Sequence, residues 1–162
     1  MKAALFLLVL LLAPPAGADT QPHANATHHF TVNPPASFVF HQGPEHLGSY
    51  SEPGLVLSLS RIDYPNLPAR WRNDKDRFFK QVADGVRKAS KGRLKRQSLR
   101  TIKRVPVLDT QFVRKGGKER VWMRFLFHRR FAIVASAATP IRGKKKSAAQ
   151  AFVKSLEPLP SE

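Results

Sequence analysis

The fold is decided by residues 105–135, which read VPVLDTQFVRKGGKERVWMRFLFHRRFAIVA. Runs of alternating polarity lie on both sides of Gly116-Gly117, a pair that supplies the positive backbone dihedral angles of a tight hairpin. The clearest run puts Val121, Met123, Phe125 and Phe127 on one face and Arg120, Trp122, Arg124, Leu126 and His128 on the other. A second turn at 128–130 returns the chain. We therefore expect an antiparallel meander with strands at 107–115, 121–127 and 131–135.

Two helices are predicted outside this meander. The first is capped by Asn73 or Asp74 and runs to about Ala89. Its apolar side chains recur at helical spacing and are Phe78, Phe79, Val82, Ala83, Val86 and Ala89. Gly85 lowers its stability but would allow close packing on a sheet. The second helix begins in a capping box at 147–150, and its predicted apolar stripe is Ala148, Ala151, Phe152 and Leu156.

Further strands are predicted on both sides of the first helix. Residues 55–62 alternate well, residues 94–104 alternate imperfectly, and 30–32 and 38–40 are short extended pieces. The order along the chain is strands, helix, several antiparallel strands, helix. This order predicts an α+β fold with a single antiparallel β-sheet flanked by two main helices.

The N-terminus has the layout of a secretory signal. Lys2 precedes an apolar run at 3–13, and small residues at Ala16 and Ala18 predict cleavage between Ala18 and Asp19. The eleven-residue run would cross only about half of a hydrocarbon core of roughly 30 Å. We expect a signal peptide at 1–18, a disordered leader at 19–29, a single basic α+β domain at 30–158 and a C-terminal tail at 159–162. The mature protein is expected to be soluble and secreted or periplasmic.

Composition narrows the possible chemistry. The chain contains no cysteine, which excludes disulfides, a thiol nucleophile, a zinc ribbon and a redox pair. Its formal net charge is +17, from 28 basic and 11 acidic residues. Residues 61–130 carry 22 of the basic and six of the acidic groups, whereas residues 19–60 contain no Lys or Arg. The positive charge is therefore concentrated in the middle of the domain.

Nine basic residues and no acidic residue lie within 85–108. They are Arg87, Lys88, Lys91, Arg93, Lys95, Arg96, Arg100, Lys103 and Arg104. One interpretation is a solvated edge that deters aggregation. The alternative is a surface that binds an anionic macromolecule or a membrane surface, such as an envelope polymer, lipid headgroups or an acidic protein. Nucleic acid is a weaker option because export removes the usual intracellular targets. Arg142, Lys144, Lys145 and Lys146 would extend this surface if they are neighbours in the fold.

The layout of residues 30–158 resembles the PsbP-like family. The matching features are Pro34-Pro35 in the opening segment, the helix from about Asp74, the Val105-Pro106 step and the segment 152–158. The resemblance implies a small exported α/β/α sandwich domain that binds partners and has no shared active site. It transfers no catalytic residues. The dense basic stretch and the lack of a glycine before Pro106 depart from the pattern, which leaves open whether any partner is shared.

The histidines and serines do not form a recognisable catalytic or metal-binding motif. Five of the six histidines are N-terminal, at His23, His28, His29, His41 and His46, without paired ligand spacing. No G-x-S-x-G elbow is present, and we interpret His128 as a strand-end residue, although Asp63 or Asp109 would orient it if they were adjacent.

The sequence therefore predicts a binding or accessory domain with no enzymatic activity, no cofactor and no metal site. The alternative is an enzyme whose active site cannot be read from sequence. A cluster of buried polar side chains in a closed cleft would favour the enzyme, and a flat basic face would favour binding. Trp122 is expected to cover the sheet beneath a helix, whereas a ligand groove would involve Trp71, Tyr64 and Phe38.

Overall fold

The computed structural model describes residues 22–64, 74–114 and 116–159. The predicted signal peptide, the Ala18–Asp19 cleavage site, Trp71 and most of the C-terminal tail lie outside these ranges. Within them the chain forms two helices and ten strands. In chain order they are β1 (His23–Asn25), β2 (Phe30–Val32), β3 (Val39–Phe40), β4 (His46–Glu52), β5 (Leu55–Asp63), α1 (Lys75–Ala89), β6 (Gly92–Ile102), β7 (Val105–Arg114), β8 (Glu119–Phe127), β9 (Phe131–Pro140), α2 (Lys146–Ser155) and β10 (Glu157–Pro158).

Seven of the strands form one antiparallel sheet in the order β3-β4-β5-β9-β8-β7-β6. The predicted meander is confirmed, because β7, β8 and β9 are consecutive both in sequence and in the sheet. Gly116 and Gly117 have φ angles of 103° and 69°, as the hairpin between β7 and β8 requires. Strand β6 lies at the edge of this sheet and pairs on one side with β7.

The prediction of a single sheet is wrong. Strand β2 pairs with β1 on one side and with β10 on the other, which makes a separate three-stranded sheet. Phe30 and Val32 of β2 are fully buried in the same apolar cluster as Phe152 of α2. The chain after α2 therefore returns against β2. Strand β1 lies within the segment 19–29 that the sequence predicted to be a disordered leader, so order begins earlier than expected.

Helix α1 covers one face of the large sheet. The Asp74 side chain caps it by accepting a hydrogen bond from the Arg77 backbone N–H at 3.1 Å, as predicted. Phe78, Phe79 and Ala83 are buried against side chains of β7 and β8. Gly85 is exposed, and a Cβ atom there would meet nothing within 4 Å. The expectation that this glycine allows close packing is therefore wrong.

Helix α2 covers the opposite face, where Trp122 joins its apolar cluster as predicted. The predicted capping box is wrong, because the helix begins at Lys146 and has no side-chain capping hydrogen bond. The buried side chains are Ala149, Phe152 and Val153, whereas Ala148 and Ala151 are exposed. Alanines at several neighbouring positions did not specify which face of the helix is buried.

Candidate functional site

A polar cleft lies on the α2 face of the large sheet. Helix α2 packs mainly on β9, β8, β5 and β2, and the cleft lies between the helix and parts of β7 and β6. The space between the helix and the edge strand has a volume of about 300 Å³. The side chains that give it its chemical character are Arg96, Arg100, Asp109, Trp122, Arg124 and Lys154. They come from β6, β7, β8 and α2.

Strand register brings these residues together. Arg124 of β8 is paired with Asp109 of β7, and Asp109 is paired with Ser98 of β6. Paired residues in antiparallel strands point to the same face, so alternate residues of three strands line the cleft. Met123 and Phe125 point the other way, into the core beneath α1.

A buried guanidinium forms the base of the cleft. Arg124 is 2% exposed, and its Nε and Nη2 atoms donate to the two carboxylate oxygens of Asp109 at 2.6 and 3.0 Å. Its Nη1 atom donates to the carbonyl oxygens of Lys154 and Leu156 at 2.6 and 3.4 Å. These carbonyls lie at the C-terminal end of α2, where the helix dipole favours a cation. One side chain therefore joins β8, β7 and α2.

Both oxygens of the Asp109 carboxylate have partners. Besides both bonds from Arg124, its Oδ2 atom lies 3.1 Å from Nη2 of Arg100, which is half-exposed at the mouth of the cleft. Asp109 is the only carboxylate among the residues that line the cleft, and none of those residues is a histidine. The cleft therefore offers hydrogen-bond donors and positive charge.

Several donors in the cleft lack acceptors. Trp122 is 6% exposed, and its enclosed Nε1–H has no partner among the described residues. Within the same part of the chain, the exposed guanidinium of Arg96 makes no hydrogen bond or ion pair. Outside the cleft lining, the guanidinium of Arg120 lies over the Trp122 ring at 5.9 Å, and its buried Nε has no partner in the described ranges. The accessible part of the cleft therefore combines positive charge with hydrogen-bond donors.

The nine basic residues predicted as one surface are divided by the structure. Four exposed ones lie along β6: Arg93, Lys95, Arg96 and Arg100. Register places Arg93, Arg96 and Arg100 on the α2 face, and Lys95 lies at an irregularity in the pairing with β7. This set, called here the β6 basic edge, includes two residues that line the cleft.

The other five residues lie elsewhere. Arg87 bonds Asp84 at 3.1 Å and the Gly92 carbonyl at 2.7 Å, and therefore stabilises the end of α1. Lys88 lies on α1, Lys91 lies in the following turn, and Lys103 and Arg104 form the turn at the far end of β6. Lys103 also pairs with Glu157 at 3.6 Å.

The basic segment before α2 does not continue the β6 basic edge. It follows β9, which β8 and β7 separate from β6 in the sheet. Within this segment, Lys145 forms an ion pair with Glu52 at the end of β4. The β6 basic edge is therefore not extended by Arg142, Lys144, Lys145 and Lys146.

A second polar cluster surrounds His128, which directly follows β8 as predicted for a strand-end residue. Its ring stacks on Phe131 at 4.8 Å and lies 6.2 Å from the His29 ring. Burial, together with the neighbouring histidines, lowers the pKa of His128 to about 4. The Tyr64 hydroxyl donates to the carbonyl oxygens of His128 and Phe131, and burial raises the pKa of Tyr64.

This cluster does not form a catalytic triad. Asp63 pairs with Arg61 at 2.7 Å, and Asp109 lies in the cleft, so neither predicted partner orients His128. Among residues 22–64, 74–114 and 116–159, no group of three or more His, Asp or Glu side chains is arranged to hold a metal ion. Sequence reasoning missed the proximity of His28 and His29 to His128, because they are about 100 residues apart.

Solved structures give the clearest comparison. No protein-family model matches the sequence, and a search of curated proteins gives no match. The solution structure of cyanobacterial PsbP (CyanoP) from Synechocystis sp. PCC 6803 matches 90% of this chain and 96% of its own, with a TM-score of 0.58 and 14% identity. The chain has a PsbP-like fold. The resemblance inferred from the sequence is therefore confirmed at the level of fold.

Two further structures are similar to this PsbP-like domain. LpqN of Mycobacterium tuberculosis, a protein involved in cell envelope biogenesis, has a TM-score of 0.52 at 14% identity over 90% of this chain and 88% of its own. PA94, a protein of unknown function from Pseudomonas aeruginosa, has the same TM-score and identity over 87% and 98%. Neither helix of the described part of the chain is long and apolar enough to cross a membrane.

Proposed function

We propose that the protein is an exported, non-enzymatic binding domain that holds an anionic polymer of the cell envelope along the β6 basic edge. The observation that carries the proposal is the charge of this edge. Four exposed cations lie on one 11-residue strand that contains no acidic residue, beside a cleft rich in donors. The signal-like residues 1–18 and the likeness to structures that include CyanoP and LpqN support export.

The shape of the basic surface favours a polymer over a flat membrane. At about 3.3 Å per residue, the 11 residues of β6 extend over roughly 36 Å. The cations therefore form a line that is bordered by a cleft, and a flexible anionic chain can follow this line. Gathering like charges on one strand costs self-repulsion, which a bound polyanion would relieve.

A binding role accounts for the cleft better than catalysis does. The buried Arg124–Asp109 pair is the kind of polar cluster that would favour an enzyme. Yet this carboxylate already accepts two hydrogen bonds from Arg124 and forms an ion pair with Arg100. It therefore serves to position Arg124 and Arg100, and it is not available as a general base.

Heparin affinity provides the test, with heparin as a probe for a linear polyanion. We expect wild-type binding to weaken steeply between low and physiological salt, because bound counterions are released on association. A variant that changes Arg93, Lys95, Arg96 and Arg100 to glutamine should bind at least tenfold more weakly. Circular dichroism establishes that both proteins are folded.

A matched control removes the same charge elsewhere. Lys75 and Lys80 of α1, together with Arg129 and Arg130, are exposed. Changing these four residues to glutamine should leave most of the heparin affinity intact. Equal losses of heparin affinity in both variants would show that binding depends on net charge alone. Unchanged affinity in the β6 variant would refute the proposal. Tighter binding to anionic vesicles or to polyglutamate than to heparin would instead identify a lipid surface or an acidic protein as the partner.

A further inference from the structure

We infer that the cleft between α2 and β6 is a specific site for a phosphate group of the anionic partner. This inference rests on the proposed function and names the chemical group that would be recognised. It differs from binding by charge alone, because it assigns defined donors to one bound group. The cleft has a volume of about 300 Å³, at the lower end of the range for small-molecule sites, which leaves room for a phosphate and part of the unit that carries it.

The cleft has many available donors and few available acceptors. Arg96 has no partner among the described residues, and Arg100 uses only Nη2, for Asp109. The enclosed Trp122 Nε1–H has no acceptor within the described part of the chain. Both oxygens of Asp109 already accept bonds from Arg124. An oxyanion would pair with the exposed guanidinium groups of Arg96 and Arg100, whereas these groups would repel a cationic ligand.

Accessible donors lie on two sides of the cleft, which favours phosphate over carboxylate. Arg96 and Arg100 come from β6, and Lys154 comes from α2. A tetrahedral phosphate presents oxygens in divergent directions, whereas a carboxylate presents two oxygens in one plane. Guanidinium groups bind phosphate oxygens through paired, charge-assisted hydrogen bonds.

The buried base of the cleft makes this arrangement specific. Arg124 is held by Asp109 and by two carbonyl oxygens of the chain around the end of α2, and Asp109 in turn holds Arg100. The Arg100 guanidinium is thus oriented before any ligand binds. Such preorganisation reduces the entropy that is lost when the ligand is bound. An exposed arginine without such a partner would have to be ordered by the ligand itself.

The Trp122 indole signal can report binding by nuclear magnetic resonance, because Trp122 lines the cleft. The chain contains two tryptophans, so a Trp71→Phe variant leaves a single indole signal. Titration with inorganic phosphate, at constant ionic strength maintained with chloride, should move this signal along a saturable curve. Acetate in the same range should move it far less. We expect an Arg96→Gln/Arg100→Gln variant to need at least tenfold more phosphate for half-saturation.

Controls separate this site from general charge and from the proposed function. A Lys75→Gln/Lys80→Gln variant, which loses two charges from α1, should titrate like the parent protein. An unmoved indole signal, or an equal shift with acetate, would overturn the phosphate site even if heparin still binds. A saturable phosphate shift without heparin binding would support the phosphate site and refute the polymer partner. Soluble glycerol 1-phosphate and phosphatidylglycerol vesicles, compared through the same signal, distinguish a free phosphate unit from a lipid headgroup.

Discussion

Replacing Asp109 by asparagine tests how far the cleft depends on its buried ion pair. Loss of one partner of a buried pair costs about 3–5 kcal/mol, because the other charge stays in the interior without compensation. The Asp109 side chain is 33% exposed, which reduces this cost by solvent screening. Two carbonyl oxygens also continue to accept bonds from Arg124. We therefore expect a loss of about 2–3 kcal/mol in the free energy of unfolding.

Urea denaturation followed by circular dichroism measures this loss. A double-mutant cycle with Arg124→Met isolates the interaction, and Asp109→Asn/Arg124→Met should recover part of the stability lost in Asp109→Asn. The control is Arg100→Gln, which removes the half-exposed partner of the same carboxylate and should cost about 0–1 kcal/mol. A loss below about 0.5 kcal/mol for Asp109→Asn, or equal losses for Asp109→Asn and Arg100→Gln, would refute the view that burial makes the Arg124 pair the stronger one.

Three further predictions concern other parts of the chain. The pKa of His128 lies near 4 in the fold, below its ordinary value of 6.5. Protonation of this side chain therefore favours the unfolded state. The stability that depends on a neutral His128 is fully present above pH 6.5 and is lost as the pH falls toward 4. Allowing for partial exposure, the free energy of unfolding should fall by about 1 kcal/mol between pH 7 and pH 5 in urea titrations, and a His128→Gln variant should show a smaller fall, because the pKa of His28 stays lowered. Gly92→Ala should destabilise the protein in thermal melts, because its Cβ would lie 2.3 Å from the Phe112 ring. The control Gly85→Ala should stabilise α1 by up to about 1 kcal/mol. A higher melting temperature for Gly92→Ala than for Gly85→Ala would contradict the packing at Gly92. Intact-mass measurement of exported protein should give an N-terminus at Asp19, and a retained Met1 would mean that the leader is not cleaved.

Local sequence signals predicted most of the large sheet and α1. Alternation on both sides of Gly116-Gly117 specified the β7–β8 hairpin, and helical spacing with the Asp74 cap specified α1. Strands β1 and β10 were missed because they are three and two residues long and are stabilised by pairing with β2, not by a pattern of their own. Strand β4 was missed because its sequence, HLGSYSE, lacks an apolar alternation.

The candidate site was only partly predictable for the same physical reason. Arg96 and Arg100 were identified because they lie in a local run of basic residues. Asp109, Trp122 and Arg124 join them through the register of three strands, which composition does not reveal. One signal was present: Arg120, Trp122 and Arg124 occupy alternate positions of an otherwise apolar strand. Two arginines on a strand face that should be covered by a helix indicate that part of this face is polar.

The contact of Arg124 with the carbonyl oxygens of Lys154 and Leu156 couples the cleft to the local opening of the C-terminus. Local opening that frees the last turn of α2 would withdraw these acceptors and also release β10 from β2, because β10 begins directly after Leu156. We therefore expect the cleft, the helix end and the small sheet to exchange their amide hydrogens as one cooperative unit. A ligand that orders the cleft should slow exchange in β2, although no residue of β2 lines the cleft.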